Sequence, residues 1–415
     1  MVKERVVLAY SGGLDTSVAI KYFQEKYNMD VITVTVNIGQ VEDLNEIAER
    51  AKALGAIKHY SIDALREFTV DYIFPAIKAN ALYGGKYPLG TALGRPLIAK
   101  KLVEVAEKEG ATTVAHGCTG KGNDQVRFDI TIKALNPNLK IIAPVRDWNL
   151  SRDEEIEYVK KHNIPLEIKR SIYSVDQNLW GRSIESGPLE DPYHEPSHEV
   201  FQWTKPLDKT PDRPEYLELE FKEGVPIAVN GQKMDPVSLI QYVNKVAGEH
   251  GIGVIDHIED RVVGIKSREV YEYPAATCII EAHKDLEKLV LTRHQLAFKS
   301  FVEQEWAWLV YSGLWMEPLR MDLQAFIDST QKFVEGKVRL KMYKGSVRVV
   351  GRSSPYSLYS YALATYDSSS TFDQRASIGF IHLWGLQSHI ANLIRKKKVE
   401  DSEIYGRGST EGREA

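Results

Sequence analysis

Cysteine is scarce in this chain of 415 residues, which contains only Cys118 and Cys278. The two are far apart in sequence and form no Cys-x-x-Cys pair, so we expect neither a disulfide framework nor a zinc site built on cysteines. An excess of basic charge is also lacking, because 57 Asp and Glu against 53 Lys and Arg leave a net charge of −4. Nucleic-acid-binding proteins usually carry a basic excess, so we expect no nucleic-acid partner.

Long apolar runs are missing as well. No stretch is long enough to span a bilayer, so we expect no membrane association. The start of the chain, Met-Val-Lys-Glu-Arg, leads into a strand pattern rather than a signal peptide, and we therefore expect a cytoplasmic protein. The content of 43% hydrophobic and 27% charged residues is ordinary for a globular protein with a core, and the length favours more than one domain.

The chain has three parts with different patterns. Over residues 1–170, short apolar runs alternate with helical periodicity, which predicts an α/β domain with an open parallel sheet. Residues 171–365 include a segment rich in proline, Gly187–Pro214, and continue with hairpin and helix patterns, which predicts a second, α+β domain. Residues 366–415 contain an amphipathic helical pattern followed by a polar tail.

The predicted elements follow from apolar periodicity and from glycine or proline at their ends. In the first part, the predicted strands are Arg5–Tyr10, Val31–Val36, Ile57–Ile62, Thr112–Ala115 and Lys140–Ala143, and the predicted helices are Asp15–Tyr27, Asp43–Leu54, Thr69–Leu82, Pro96–Glu109 and Arg152–His162. Further on, we predict strands within Tyr216–Val229, a helix at Pro236–His250, a long helical region from Lys284 to Val310, a hairpin at Val338–Arg352 and a helix at Gln374–Lys396. The apolar face of this last helix either docks on its own domain or packs against another subunit.

A glycine-rich loop, Ala9–Ser17, follows the first predicted strand and opens the first predicted helix. Gly12 and Gly13 allow the backbone to turn tightly and to approach a ligand closely. Free N–H groups of the first helical turn, with the hydroxyls of Ser11, Thr16 and Ser17, suit a phosphate. Asp15 implies a Mg²⁺ that joins its carboxylate to a pyrophosphate. The alternative is a simple turn in which Asp15 or Thr16 caps the helix.

A second glycine-rich loop, Ala115–Phe128, also lies between a strand and a helix. It offers the hydroxyl of Thr119, the amide of Asn123 and the carboxylate of Asp124, with the guanidinium of Arg127 one turn further on as a bidentate carboxylate clamp. This set suits a zwitterionic amino acid. The alternative is helix capping by Asn123 or Asp124, with Arg127 in a surface ion pair.

The first loop resembles the pyrophosphatase loop of N-type ATP-using synthetases, which cleave ATP to AMP and pyrophosphate. Five stretches together resemble the argininosuccinate synthase family, and they span both large predicted domains. They are Ala9–Ser17, Tyr87–Pro96, Ala115–Phe128, Ser174–Ser183 and Gly264–Pro274. The resemblance implies an adenine nucleotide alpha-hydrolase-like sheet, a synthetase domain that also supports oligomerisation, and a homotetramer. It implies ATP and Mg²⁺ as cofactors and the ligation of L-citrulline and L-aspartate through citrullyl-AMP.

The same resemblance implies a role for individual residues. ATP is expected at Ala9, Tyr10, Ser11, Gly12, Gly13, Leu14, Asp15, Thr16, Ser17, Val36 and Gly117. Aspartate is expected at Thr119, Asn123 and Asp124, and citrulline at Tyr87, Thr91, Asn123, Arg127, Ser174, Ser183, Glu259 and Tyr271. Catalytic roles are expected for Asp15, Asp124 and Arg95, the last as an anchor for a substrate carboxylate. Ala92 stands where many relatives have serine, so Thr91 is the expected substitute for that hydroxyl.

Three other functions remain as alternatives. A tRNA-thiolating enzyme of the same superfamily needs catalytic cysteines and a basic face, and the sequence shows neither. A guanylate or asparagine synthetase needs a glutaminase domain or a partner that supplies ammonia. A non-catalytic adenine-nucleotide-binding module explains neither the second glycine-rich loop nor the large second domain.

Overall fold

The structure is a computed structural model that describes residues 3–148, 152–162 and 172–407. The chain divides into two compact units, Met1–Leu358 and Tyr359–Ala415. The predicted boundary between residues 170 and 171 and the end of the predicted tail lie outside the described residues.

The first part of the larger unit is a five-stranded parallel sheet in the order β3-β2-β1-β4-β5, which confirms the predicted fold class. Its strands are β1 (Arg5–Ala9), β2 (Asp30–Asn37), β3 (Lys58–Asp63), β4 (Thr113–Ala115) and β5 (Lys140–Ile142). Its helices are α1 (Leu14–Lys26), α2 (Leu44–Ala53), α3 (Leu65–Phe68), α4 (Phe74–Lys78), α5 (Gly90–Glu109), α6 (Asp124–Leu135), α7 (Pro144–Asp147) and α8 (Arg152–Lys161).

The order of these strands places both glycine-rich loops together. The chain runs from β1 outwards to β3 on one side, and β4 then adds on the other side of β1. A parallel sheet leaves a crevice at the carboxyl ends of the strands where the order reverses, and ligands bind there. The first loop leaves β1 and the second leaves β4, so both open at this crevice.

Two helices differ from their predicted bounds. The helix predicted at Pro96 begins at Gly90, because Leu89 in a left-handed conformation (φ 66°) ends the preceding turn and the Asn178 side chain holds the Gly90 carbonyl. Pro96 lies inside this helix and supplies no N–H to the Ala92 carbonyl. The helix predicted at Thr69–Leu82 is a run from α3 to α4 through one π-helical turn.

The second part of the larger unit contains two antiparallel sheets with helices between their strands. One sheet has the order β10-β9-β8-β13-β14 and the other the order β11-β12-β7-β6. The strands are β6 (Ser174–Gln177), β7 (Arg182–Glu185), β8 (Glu215–Lys222), β9 (Val225–Val229), β10 (Gln232–Lys233), β11 (Val254–Asp260), β12 (Lys266–Glu272), β13 (Gly336–Tyr343) and β14 (Ser346–Ser353). The helices are α9 (Pro236–Glu249), α10 (Pro274–Val290), α11 (Arg293–Tyr311) and α12 (Pro318–Gln331).

The predicted hairpins are confirmed, whereas the long helical region is two helices rather than one. The chain breaks between α10 and α11 at Leu291 and Thr292. Thr292 caps α11 through a reciprocal pair of hydrogen bonds with Gln295, a capping box that starts a new helix.

The described residues of the smaller unit form two helices, α13 (Tyr361–Ala364) and α14 (Ala376–Arg407). The apolar side chains of α14 that are exposed include Ile378, Phe380, Ile381, Leu383, Trp384, Ile390, Leu393 and Ile394. Across the described part of the chain, no helix combines the length and the apolarity needed to cross a membrane.

Candidate active site

A cavity of about 650 Å³ lies at the carboxyl ends of β1, β2 and β4. Its volume falls in the usual range for small-molecule sites. Nearly all of the site residues expected from the sequence line it, and they come from both halves of the larger unit. They are Ala9, Tyr10, Ser11, Gly13, Leu14, Asp15, Thr16, Val36, Tyr87, Thr91, Arg95, Gly117, Thr119, Asn123, Asp124, Arg127, Ser174, Ser183, Glu259 and Tyr271.

The first loop has the geometry of an anion cradle. Gly12 has a φ of +78°, which favours glycine, and Gly13 is the N-cap of α1. Within the described structure no side chain caps this helix, so the alternative in which Asp15 or Thr16 is the cap is wrong. The first-turn N–H groups of α1 therefore face the crevice without a capping side chain, as anion binding requires.

Gly12 and Ser17 are the two expected ATP contacts that do not line the cavity. Ser17 is fully buried, and its hydroxyl lies 3.2 Å from the Tyr10 hydroxyl. Its side chain therefore shapes the loop from behind instead of facing a ligand. Gly12 acts through its backbone conformation.

The second loop is held by a histidine that the sequence analysis missed. The His116 Nδ1 accepts the Cys118 N–H at 3.3 Å, which leaves the proton on Nε2 for the Asp129 carboxylate at 2.8 Å. Arg146 donates to the other oxygen of Asp129 at 2.9 Å. This chain of contacts fixes the start of the second loop, and only the position of His116 directly after β4 pointed to it.

Asn123 is the N-cap of α6, but its side chain does not cap that helix, so the capping alternative is wrong for this residue. Its Oδ1 instead accepts the N–H of Val262 at 2.8 Å. Asn123 thereby connects the second loop to the turn between β11 and β12.

Asp124 lies between two guanidinium groups. Arg95 Nε donates to one carboxylate oxygen and Arg127 Nη1 to the other, each at 2.8 Å. Burial raises the pKa of the Asp124 carboxyl, but the positive charges of Arg95 and Arg127 outweigh it and lower the pKa to about 2. Arg127 is only 3% exposed, so the alternative of a surface ion pair is wrong.

An aromatic pair forms the floor of the site beside Thr91. The rings of Tyr87 and Tyr271 stack with centroids 4.5 Å apart, and the Tyr87 hydroxyl lies 2.7 Å from Thr91 Oγ1. Arg127 Nη1 also donates to Thr91, at 3.2 Å. Burial raises the pKa of Tyr87 to about 12, so its phenol keeps its proton. Ala92 is fully buried in the core, which leaves Thr91 as the hydroxyl at this point of the wall.

The opposite wall is one face of the sheet β11-β12-β7-β6. Directly paired residues share a face of an antiparallel sheet, and Ser183 is paired with both Asp176 and Tyr271. The residues of this polar face that line the cavity are Ser174, Asp176, Ser183, Glu185, Glu259, Glu269 and Tyr271.

Three acids of this wall, Asp176, Glu185 and Glu269, were missed by the sequence analysis. Alternation with Ser174, Ser183 and Tyr271 was the signal that would have found them. Asp176 forms an ion pair with Arg95. Glu185 and Glu269 bind Arg261, another lining residue, at 2.5 and 3.2 Å.

Gln40 is a further lining residue that was missed. Its amide donates to the Val36 carbonyl and accepts from the Ile38 N–H, both at 2.9 Å. It thereby covers the backbone at the end of β2, beside Val36, which is one of the expected ATP contacts.

Comparisons with known proteins agree with this geometry. Residues 5–165 match the family model described as the arginosuccinate synthase N-terminal HUP domain, and residues 173–391 match its C-terminal domain. Argininosuccinate synthase of Dehalococcoides mccartyi is 58% identical over 390 residues, which cover 94% of this chain and 96% of that protein. Argininosuccinate synthase of Pyrococcus furiosus is 59% identical over 387 residues, covering 93% and 94%. The chain belongs to the argininosuccinate synthase family.

Membership of the argininosuccinate synthase family makes the chain an ATP-using ligase that forms a carbon–nitrogen bond. It rules out the three alternatives: a tRNA-thiolating enzyme, a guanylate or asparagine synthetase, and a non-catalytic nucleotide-binding module. The family also accounts for a cavity with two unlike walls, since one reaction must hold a nucleotide and two amino acids.

Proposed function

We propose that this chain joins L-citrulline and L-aspartate at the expense of ATP and gives argininosuccinate, AMP and pyrophosphate. The observation that carries the proposal is that one cavity is lined by both glycine-rich loops and by the polar face of the sheet β11-β12-β7-β6. Three substrates need to be oriented together, and orientation supplies much of the rate acceleration of such a reaction.

The first step forms citrullyl-AMP. The ureido oxygen of citrulline attacks the α-phosphorus of ATP, and pyrophosphate leaves with growing negative charge. The N–H groups at the start of α1, with the hydroxyls of Ser11 and Thr16, stabilise that charge in the transition state. Adenylation turns the ureido oxygen, a poor leaving group, into a phosphate ester.

Asp15 is the side chain that would hold a Mg²⁺ ion with the phosphates. It lies in the first turn of α1 and lines the cavity beside the cradle. One carboxylate is enough, because Mg²⁺ usually takes one or two carboxylates together with substrate phosphates. When bound, the ion would neutralise charge on the pyrophosphate.

The second step is attack of the aspartate amine on citrullyl-AMP, with release of AMP. Aspartate is placed at Thr119, Asn123 and Asp124. A carboxyl with a pKa of about 2 is a weak base, so Asp124 serves to hold the substrate ammonium, and the proton that the nitrogen loses as it attacks passes to the departing AMP phosphate. Arg95, next to Asp124, anchors a substrate carboxylate.

We assign citrulline to the space between the polar face of the sheet β11-β12-β7-β6 and the side chains around Thr91 and Arg127. Its contacts are the lining residues Tyr87, Thr91, Asn123, Arg127, Ser174, Ser183, Glu259 and Tyr271. The carboxylate of Glu259 suits the ammonium of citrulline, and the guanidinium of Arg127 suits its carboxylate. ATP takes the Ala9–Thr16 loop, Val36 and Gly117.

We propose further that the enzyme is a cytoplasmic homotetramer. The support is the set of exposed apolar side chains on α14, including Phe380 and Trp384, whose rings stack with centroids 5.4 Å apart. The two free cysteines suit a reducing compartment.

Product release tests the proposed reaction. Pyrophosphate release from ATP should require citrulline, and AMP release should require aspartate as well. Ornithine, which lacks the ureido oxygen, is the matched control for citrulline. Asparagine, which keeps the amine but lacks the side-chain carboxylate, is the matched control for aspartate. Equal pyrophosphate release with ornithine and with citrulline would contradict the proposal.

A further inference from the structure

Tyr311 is the last residue of α11. It contacts both Glu259 and Arg127, the side chains that would bind the ammonium and the carboxylate of citrulline. Its phenol donates to Glu259 Oε2 at 2.7 Å. Its backbone carbonyl accepts from Arg127 Nη2 at 2.9 Å and from Nε at 3.1 Å. Tyr311 itself is fully buried and does not line the cavity.

The contact with Arg127 uses the end of a helix. The last carbonyls of a helix have no intrahelical donor, and the negative end of the helix dipole attracts cations. Arg127 takes this place with one edge of its guanidinium, while Nη1 points at Asp124 and Thr91. The end of α11 therefore determines where the guanidinium lies.

The contact with Glu259 means that both oxygens of this carboxylate accept a hydrogen bond from a tyrosine. Tyr271 donates its phenol to one oxygen of Glu259 and Tyr311 donates to the other. Glu259 is only 4% exposed, so its orientation depends on these two donors. Burial and the nearby Glu259 charge raise the pKa of Tyr311, so its phenol remains a donor.

Packing keeps Tyr311 from moving. The Tyr83 ring stacks on it at a centroid distance of 3.5 Å and an angle of 5°. Gly313, with a φ of +85°, allows the chain after α11 to lie against Arg127, where an added Cβ would stand 3.0 Å from the Arg127 Cα. The phenol and the carbonyl of Tyr311 are thus parts of one rigid support.

We propose that Tyr311 is a positioning residue that sets the spacing between the acceptor for the citrulline ammonium and the donor for its carboxylate. The enzyme thereby selects a substrate with both groups on one α-carbon. This inference rests on the proposed placement of citrulline at Glu259 and Arg127. Tyr311 acts through these two side chains and does not touch the substrate.

The test compares citrulline with 5-ureidopentanoate, the analogue that lacks only the α-amino group, as a competitive inhibitor. Tyr311→Phe keeps the ring, the stack and the carbonyl, and removes the hydroxyl that donates to Glu259. That hydroxyl also lies 3.3 Å from the Asp260 carbonyl and within hydrogen-bonding reach of the Asn123 side chain. We expect the KM for citrulline to rise about 5- to 20-fold, with kcat and the KM for ATP changed less than about twofold. The inhibition constant of the analogue should stay within about twofold of its original value.

Gly313→Ala should give a different pattern, because its added Cβ would stand 3.0 Å from the Arg127 Cα and displace the whole rigid support, phenol and carbonyl together, from Arg127. Citrulline and the analogue both carry the carboxylate, so both should bind more weakly in this variant. Tyr158→Phe is the matched control, since the Tyr158 phenol also donates to a glutamate, Glu25, at 2.8 Å but neither residue lines the cavity, and it should leave all four constants unchanged. Thermal unfolding checks that each variant is folded.

Glu259→Gln separates failure of the inference from failure of the citrulline placement. If this variant weakens citrulline and spares the analogue while Tyr311→Phe changes neither, the role of Tyr311 is wrong and the placement stands. If Glu259→Gln affects both ligands equally, the placement itself is wrong. A Tyr311→Phe variant that weakens both ligands equally would also overturn the inference.

Discussion

Thr16 and Gly117 come from different glycine-rich loops and lie directly against each other. A Cβ added at Gly117 would stand 2.9 Å from Cγ2 of Thr16, closer than side chains pack. The absence of a side chain at Gly117 therefore determines how near the second loop comes to the phosphate cradle of the first.

Gly117→Ala should push the two loops apart and raise the KM for ATP by about tenfold or more, because the cradle is misplaced by a fraction of an ångström. Gly120→Ala is the control, since its added Cβ would meet Arg146 Cγ at an ordinary 3.5 Å. Adding Thr16→Ser to Gly117→Ala removes the clashing methyl group and should restore ATP affinity. An equal loss from both glycine substitutions would contradict this account.

Asp124→Asn should separate the two half-reactions. The amide no longer attracts the aspartate ammonium, so AMP release should fall by about a hundredfold while citrulline-dependent pyrophosphate release continues, measured in a rapid-quench assay. Asp256→Asn is the control, because Asp256 pairs with Arg268 outside the lining of the cavity. Unchanged condensation in Asp124→Asn would disprove the assigned role.

The depressed pKa of Asp124 predicts a pH dependence of stability. The folded pKa of about 2 lies below the ordinary value of 3.8, so the unfolded chain takes up the proton first as the pH falls. The contribution, about 2 kcal/mol, is complete above the ordinary value and is lost as the pH falls towards 2. Urea titrations between pH 6 and pH 2.5 should show this loss in the native protein. Asp124→Asn should lack it, and parallel curves for the two proteins would contradict the prediction.

The sheet β11-β12-β7-β6 contains a buried ion pair on the face that points away from the cavity. Glu272 is fully buried and accepts N–H groups of Trp203 and Thr204 at 2.7 and 2.8 Å, besides its ion pair with Arg182. Glu272→Gln should lower the free energy of unfolding by about 3 kcal/mol, because it leaves a buried guanidinium without its charge partner.

Chemical denaturation measures that change. The comparison is Lys266→Gln, which breaks the ion pair between Lys266 and Asp260. The side chains of these two residues are 72% and 69% exposed. That substitution should cost less than about 1 kcal/mol. Similar losses in the two variants would show that burial of the Arg182–Glu272 pair does not matter.

Sequence patterns predicted the parallel sheet and both glycine-rich loops because these features are local. The alternation of strand and helix implied an open parallel sheet, and the loops follow directly from β1 and β4. The start of α5 was missed because proline normally begins a helix, whereas here Pro96 lies inside one. The break between α10 and α11 depends on one capping box at Thr292, which apolar periodicity does not show.

The far wall of the site was harder to predict. Ser183 and Tyr271 were found by resemblance, whereas Asp176 and Glu269 line the cavity only because of the strand register. Tyr311 is 184 residues from Arg127 in sequence and meets it only through the packing of α11. No local pattern contains such a contact.

The account as a whole depends on one cavity that holds the nucleotide and both amino acids. A crystal structure with a non-hydrolysable ATP analogue, citrulline and aspartate tests it most directly. We predict the triphosphate at the start of α1, the citrulline ammonium beside Glu259 and its ureido oxygen facing the α-phosphorus. Triphosphate density outside the crevice between the loops after β1 and β4 would contradict the account.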